Sequence, residues 1–298
     1  MTHASTERAD QAGPPYALEM TGISKRFPGV QALAGVDLRV FGGQIHAVVG
    51  ENGAGKSTLM KILAGAYGAD AGSIVMEGRP VAFSSPHESQ ALGVGMVFQE
   101  LNLVADLSVA ENIYLGRQPI RRFGIVDRRG LREQATALLA SLGAPIDATS
   151  LVRDLSVGQQ QMVEIAKVYS QDPRILVLDE PTSALTEHET DILFATLRRL
   201  RSEGIAIIFI SHRLKEVLAI ADQVTVLRDG KLVGSRPIGE LTAAEIVKMM
   251  VGRDVGDLFP KAMVDIGDVV LEVRGYSRSG IFSDVSFTVR AGEVLGLA

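Results

Sequence analysis

In Gly50-Glu51-Asn52-Gly53-Ala54-Gly55-Lys56-Ser57-Thr58, the first eight residues fit the pattern G-x-x-x-x-G-K-[ST]. The chemistry this suits is anion binding. The glycines let the backbone curl until successive N–H groups point inward and form a nest. A helix starting near Lys56 adds the positive end of its dipole. Lys56 can reach the β- and γ-phosphates of a nucleotide, and the Ser57 hydroxyl can ligate Mg²⁺. Further along, Ile175-Leu176-Val177-Leu178 runs into Asp179 and Glu180. A buried strand delivers such carboxylates to the C-terminal edge of a parallel sheet, where ligands bind in folds of this kind. Asp179 is then placed to hold the magnesium shell, and Glu180 to orient and polarise a water aimed at the γ-phosphorus. Gln99 ends the apolar run Gly95-Met96-Val97-Phe98, and His212 follows Ile205–Ile210 in the same way. In Leu155-Ser156-Val157-Gly158-Gln159, Ser156 is a good N-cap and Gly158 permits close backbone approach to an anion. Taken alone, that stretch is a capped helix start, and a histidine placed like His212 is more often structural than catalytic. His3, His46, His87 and His188 have no such context and read as structural or solvated.

The elements that must hold these groups are legible from periodicity and turn residues. Ile45–Val49 reads as a buried strand entering the glycine loop and Leu59–Ala64 as the helix leaving it. Upstream, Ala17–Met20 and Val36–Val40 read as strands of an antiparallel layer, with Gly42-Gly43 turning the chain onward. Ser24–Gly29 between them reads as an exposed basic loop. Its Phe27 either stacks on a nucleotide base or covers the sheet edge; the residues leave both open. Gly72–Met76 and Val81–Phe83 flank a hairpin turn at Glu77–Pro80. From about residue 100 to 170 the pattern becomes helical, over Val109–Tyr114, Leu131–Leu142 and Gln159–Tyr169, as expected of a subdomain inserted between strands. Strand–helix alternation then resumes through Arg174–Leu178, Glu187–Glu203, Ile205–Ile210 and Leu214–Ala221. Val224–Leu227 and Lys231–Val233 flank the hairpin signal Asp229-Gly230, and Thr242–Met250 reads as a last helix.

The 298 residues carry a net charge of -5 and no cysteine. The charge argues against broad nucleic-acid binding but not against a nucleotide held by local dipoles. Without cysteine there are no disulfides or thiolate metal sites, which is compatible with a reducing compartment. No apolar run approaches the ~20 residues a membrane-spanning helix needs. Residues 1–15 are polar, lack the apolar segment of a secretory signal and read as a disordered leader.

There is also an internal repeat. Val36–Ile45 resembles Val285–Val294 at an offset of 249 residues (Gly43 to Gly292), and Leu18-Glu19-Met20 matches Leu271-Glu272-Val273. A second copy of the domain is therefore expected from about Val269, after a linker at 251–268. It would be truncated at Ala298, just before its own glycine loop.

Together these residues resemble the ATP-binding-cassette (ABC) ATPases over roughly 16–250. Gly50–Thr58 resembles the Walker A loop, Leu178–Pro181 Walker B with its glutamate, and Leu155–Gln159 the signature usually written LSGGQ. Gln99, Ser183–Thr186 and His212 are similar to the Q-loop glutamine, the D-loop and the switch histidine. Phe27 sits where the family's base-stacking aromatic lies. Val157 and Thr186 depart from the usual glycine and aspartate. With the repeat and Met250–Arg253, both departures are similar to the first cassette of bacterial ribose/galactose/arabinose/xylose-type importers.

The resemblance implies an α/β fold: a RecA-like P-loop core, an antiparallel β layer and an inserted α-helical subdomain. It implies ATP and Mg²⁺ as cofactors, with Glu180, His212, Gln99 and Lys56 catalytic. Ser57, Gln99 and Asp179 would hold the metal, and Phe27 and Gly50–Thr58 the nucleotide. Ser156 and Gly158 would act in trans on a second ATP, since cassettes pair head to tail. The implied partners are permease subunits, a second cassette (in the same chain or another copy) and, indirectly, a periplasmic sugar-binding protein. The expected location is peripheral, on the cytoplasmic face of the inner membrane. Two other readings are a soluble ABC ATPase acting on ribosomes or DNA, disfavoured by the short, ordinary segment Gly252–Asp268, and an inactive truncated fragment.

Overall fold

The computed structural model describes residues 16–252 and 265–296. The expected leader at 1–15, most of the expected linker and residues 297–298 lie outside the described residues. The chain divides into two compact units, 1–253 and 254–298.

The first unit is built on two sheets. A six-stranded sheet has the order β10-β9-β3-β8-β7-β6. Its parallel strands are β3 (Ile45–Val49), β6 (Val94–Val97), β7 (Ile175–Asp179), β8 (Ala206–Ile210) and β9 (Gln223–Arg228), with β10 (Lys231–Pro237) antiparallel at one edge. The apolar strands are explained by cover on both faces. Ile175, Val177, Ala206, Ile208 and Ile210 face one core with helix α1 (Lys56–Leu63), whereas Leu176, Leu178, Ile207 and Phe209 face another with helices α5 (Val157–Tyr169) and α6 (Glu187–Ser202). The second sheet is antiparallel, in the order β2-β1-β4-β5, from β1 (Tyr16–Phe27), β2 (Val30–Phe41), β4 (Ala71–Met76) and β5 (Arg79–Val81).

The expected loop at Ser24–Gly29 is mostly strand. β1 runs to Phe27, which pairs with Val30 across Pro28-Gly29. Its polar residues have partners there: Arg26 Nε donates to Gln31 Oε1, and the Lys25 ammonium to Asp70. A short helix, α2 (Pro86–Ala91), was not expected; Ser85 caps it and accepts from the Glu88 N–H. Between β6 and β7 lie α3 (Val109–Ile113), α4 (Arg128–Ser141) and α5, which form the helical block. Asn112, fully buried, pins its entry by donating to the carbonyls of Val104, Leu107 and Ser108 and accepting from the Val104 N–H. Helices α7 (Leu214–Ile220) and α8 (Ala243–Val251) complete the unit.

The second unit shows one antiparallel hairpin, β11 (Val269–Arg278) with β12 (Phe282–Arg290). Its register repeats that of β1–β2. Leu271, Glu272, Val273 and Tyr276 pair with Val289, Thr288, Phe287 and Val285. Leu18, Glu19, Met20 and Ile23 pair in the same sequence with Val40, Arg39, Leu38 and Val36.

Candidate functional site

The glycine loop joins β3 to α1, and its backbone course demands glycine. At Gly55 φ is +100°, and a Cβ would stand 2.7 Å from both the Ala32 oxygen and Leu33 Cδ2. At Gly50 a Cβ would come within 2.3 Å of the Leu227 oxygen. Neither contact is tolerable, so the curl that turns the N–H groups inward is available only to glycine. Lys56, the first residue of α1, is buried and donates to the carbonyl oxygens of Gly50 (2.8 Å) and Glu51 (3.0 Å). That uses two of its three N–H donors and leaves one for the cleft. Burial pulls the Lys56 ammonium below the usual lysine range, against the opposing pull of Glu180 and Asp179.

Asp179 ends β7 and is also buried. Burial pushes its carboxyl above the usual range, opposed first by a hydrogen bond from the Ser57 hydroxyl. Glu180 follows with φ +49°, a left-handed conformation that side chains other than glycine rarely adopt. Its N–H donates to the Ile210 carbonyl at 3.0 Å, which fixes the end of β7 to β8. Its Oε1 lies 3.1 Å from His212 Nδ1.

Phe27, Asn52, Gly53, Gly55, Lys56, Ser57, Thr58, Gln99, Asp179 and Glu180 share one cleft of about 490 Å³. Gly50, Glu51 and Ala54 shape the loop behind it. The cleft is open and polar, and the glycine loop forms one of its walls. Phe27 stands at its mouth, braced edge-on by Tyr67 at 5.4 Å between ring centres. The donor set suits a nucleotide with its metal: one carboxylate and one hydroxyl in contact, Gln99 beside them, and no cluster of three acidic or imidazole groups among the described residues. A magnesium ion held by few protein groups takes its other ligands from phosphate oxygens and water.

Ser156 and Gly158 lie elsewhere. They line a mostly apolar hollow of about 300 Å³ with Ala144, Pro145, Ile146, Gln159, Met162, Glu189 and Ile192. Ser156 caps α5, accepting from the Gln159 N–H while the Gln159 side chain accepts from the Ser156 N–H. Val157 in the glycine position is 46% exposed, so its side chain burdens no core. Thr186, in the aspartate position, does that residue's local work: it caps α6 in a reciprocal pair with Glu189.

Two supporting residues carried no signal in the sequence. Glu216 Oε2 accepts from Thr182 Oγ1 (2.6 Å) and Ser211 Oγ (3.0 Å), joining the exits of β7 and β8. Arg213 donates to the carbonyls of Thr182 and Ser183 and to Glu216. As a pair three apart at a helix start, Arg213 and Glu216 look like ordinary surface charges.

A strand–glycine loop–helix at a parallel sheet, facing two carboxylates across a polar cleft, defines a P-loop nucleotide-binding cassette. The profile of the ABC transporter family matches residues 33–183, and the chain belongs to that family. It is 58% identical over 281 residues to a putative ribose/galactose/methyl galactoside import ATP-binding protein of Agrobacterium fabrum, and 53% identical to a ribose import ATP-binding protein of Rubrobacter xylanophilus. Each match covers 94% of this chain and 56% of the relative, so the chain spans a little over half the length of the curated relatives it matches. Among solved structures it is similar to the ADP conformation of MJ1267, an ATP-binding cassette of an ABC transporter. That match has 26% identity and a TM-score of 0.70, over 80% of this chain and 99% of the other.

Proposed function

We propose that the chain binds and hydrolyses Mg-ATP in the cleft at the end of β3, and thereby energises import of a simple sugar through a membrane permease. The observation that carries the reading is Glu180: held left-handed beside Asp179, bonded by His212, and facing Lys56 and Ser57. Ser57, Asp179 and Gln99 would hold the metal, which when bound offsets the charge of the β- and γ-phosphate oxygens. Lys56 would reach those oxygens with its remaining donor. Phe27 would offer its ring face to the base. Glu180 would orient the attacking water and take up its proton, and His212 would keep that carboxylate aimed.

The names of the relatives support the sugar-import part, and specificity for one sugar would reside in the permease and a periplasmic binding protein. Permease contact is assigned to the helical block, where Leu115, Ile120 and Ile125 stand exposed. No helix among the described residues is long and apolar enough to cross a membrane, and the assigned place is peripheral, on the cytoplasmic face of the inner membrane. Ser156 and Gly158 would complete an ATP site on an opposing cassette. The repeated hairpin register supports reading Val269 onward as the start of a second cassette.

Glu180→Gln tests the assignment. ATP binding should persist while turnover falls by about 10²-fold or more, the contribution typical of a positioned general base. Hydrolysis at the unsubstituted rate refutes the role. Recovery of ribosomes in place of a membrane complex in a pull-down refutes the import reading.

A further inference from the structure

Gly158 has no room for a side chain, and the reason is a carboxylate. A Cβ there would stand 2.4 Å from both Cδ and Oε1 of Glu189. Glu189 Oε1 accepts from the Ser156 hydroxyl at 3.0 Å. Its other oxygen accepts from the Thr186 N–H and Oγ1, both at 3.0 Å. The carboxyl is held below the usual range by the Thr186 N–H first, then by the Ser156 and Thr186 hydroxyls and the Gly158 N–H. No basic side chain is among these causes. One carboxylate thus bridges the N-termini of two helices, α5 and α6, and takes both the hydroxyl of Ser156 and the approach that Gly158 keeps open.

We infer that Glu189 is an internal stand-in for phosphate on the Ser156–Gly158 segment, and that it must swing away before the γ-phosphate of an ATP on an opposing cassette can bind there. The inference rests on the head-to-tail pairing proposed above. An anion of the same sign cannot share the Ser156 hydroxyl and the Gly158 N–H with the carboxylate, and repels it at short range. Glu189 therefore sets a threshold for pairing. Its departure also cuts the tie between the Ser156 hydroxyl and α6, so arrival of phosphate at α5 is transmitted to the segment Ser183–Thr186 that leads into α6.

The test uses the full chain carrying Glu180→Gln, which holds ATP, and adds either Glu189→Gln or Glu187→Gln. Glutamine keeps an oxygen for Thr186, so the cap of α6 survives. Glu187→Gln removes a charge from the same turn without touching Ser156. Self-association with ATP is measured by sedimentation velocity, and ATP affinity of the monomer with a fluorescent analogue. Glu189→Gln should tighten ATP-dependent association about tenfold, since a neutral hydrogen bond is far weaker than a charge-assisted one. Glu187→Gln should leave it unchanged, and monomer affinity should be the same in all three. Equal association with and without the Glu189 carboxylate, or weaker association without it, overturns the inference alone. A Glu180→Gln parent that binds ATP yet never associates removes the pairing, and the inference with it.

Discussion

Acid should weaken this fold through one histidine. His46 is the second residue of β3, fully buried, with Nε2 2.7 Å from Thr225 Oγ1 on β9 and no partner for Nδ1. Burial lowers its pKa from 6.5 to about 4. The unfolded chain therefore takes up this proton near pH 6.5, while the folded chain resists until about pH 4. Between those values the unfolded state binds more protons, and stability falls as pH falls. The full interval, at roughly 1.4 kcal/mol per pH unit, is worth about 3 kcal/mol, of which about 2 kcal/mol is already lost at pH 5. His46→Leu isolates the effect. At pH 7.5 it forfeits one hydrogen bond but also removes an unsatisfied buried nitrogen, so the two chains should differ by no more than about 1 kcal/mol. At pH 5 the leucine chain should be the more stable by about 2 kcal/mol relative to that baseline. Urea unfolding at a series of pH values reads the difference directly. Carboxylates held low, such as Asp70 and Glu111, lose their contribution further down in pH and cancel between the two chains. Parallel curves for the two chains from pH 7.5 to 4.5 would refute the argument.

Other outcomes follow from the site. Asp179 has its pKa raised in the fold, so the folded chain holds this proton more tightly and stability falls as pH rises through the interval above 3.8. Asp179→Asn should thus raise the denaturation midpoint at pH 7 while abolishing magnesium-dependent turnover, as calorimetry and phosphate release would show. Glu216→Ala leaves Thr182, Ser211 and Arg213 without their shared acceptor; it should cost about 2–3 kcal/mol and slow turnover while ATP affinity holds. Gly55→Ala should lose nucleotide binding in an equilibrium titration, because its Cβ displaces β2 at Ala32.

What the sequence made legible is what periodicity and backbone chemistry encode. The loop from Gly50 to Thr58, the strand delivering Asp179 and the hairpin at Asp229-Gly230, both residues at positive φ, follow from local patterns. The β1 extension did not, because Ser24, Lys25 and Arg26 look like a loop until Asp70 and Gln31 are seen beside them. Glu189 and Glu216 were also invisible. Each is a polar side chain whose importance lies in partners distant in sequence, and hydrophobic spacing keeps no record of those. The sequence around Phe27 is compatible with two roles, and the structure brings its ring to the cleft mouth.

The two hairpins agree in more than register. Gly22 N–H donates to Asp37 Oδ1, and Gly275 N–H to Ser286 Oγ at the equivalent place. Gly35 N–H donates to Ser24 Oγ, and Asp284 N–H to Ser277 Oγ. Gly35 and Asp284 both sit at positive φ, +66° and +55°. Arg39 pairs with Glu19 across the strands, whereas Glu272, opposite a threonine, pairs with Arg274 on its own strand. The two hairpins thus differ in residue type while sharing three register shifts at equivalent places. What the two hairpins share is the position of an acceptor and of a kink, so their likeness is better sought in their bulges than in their letters.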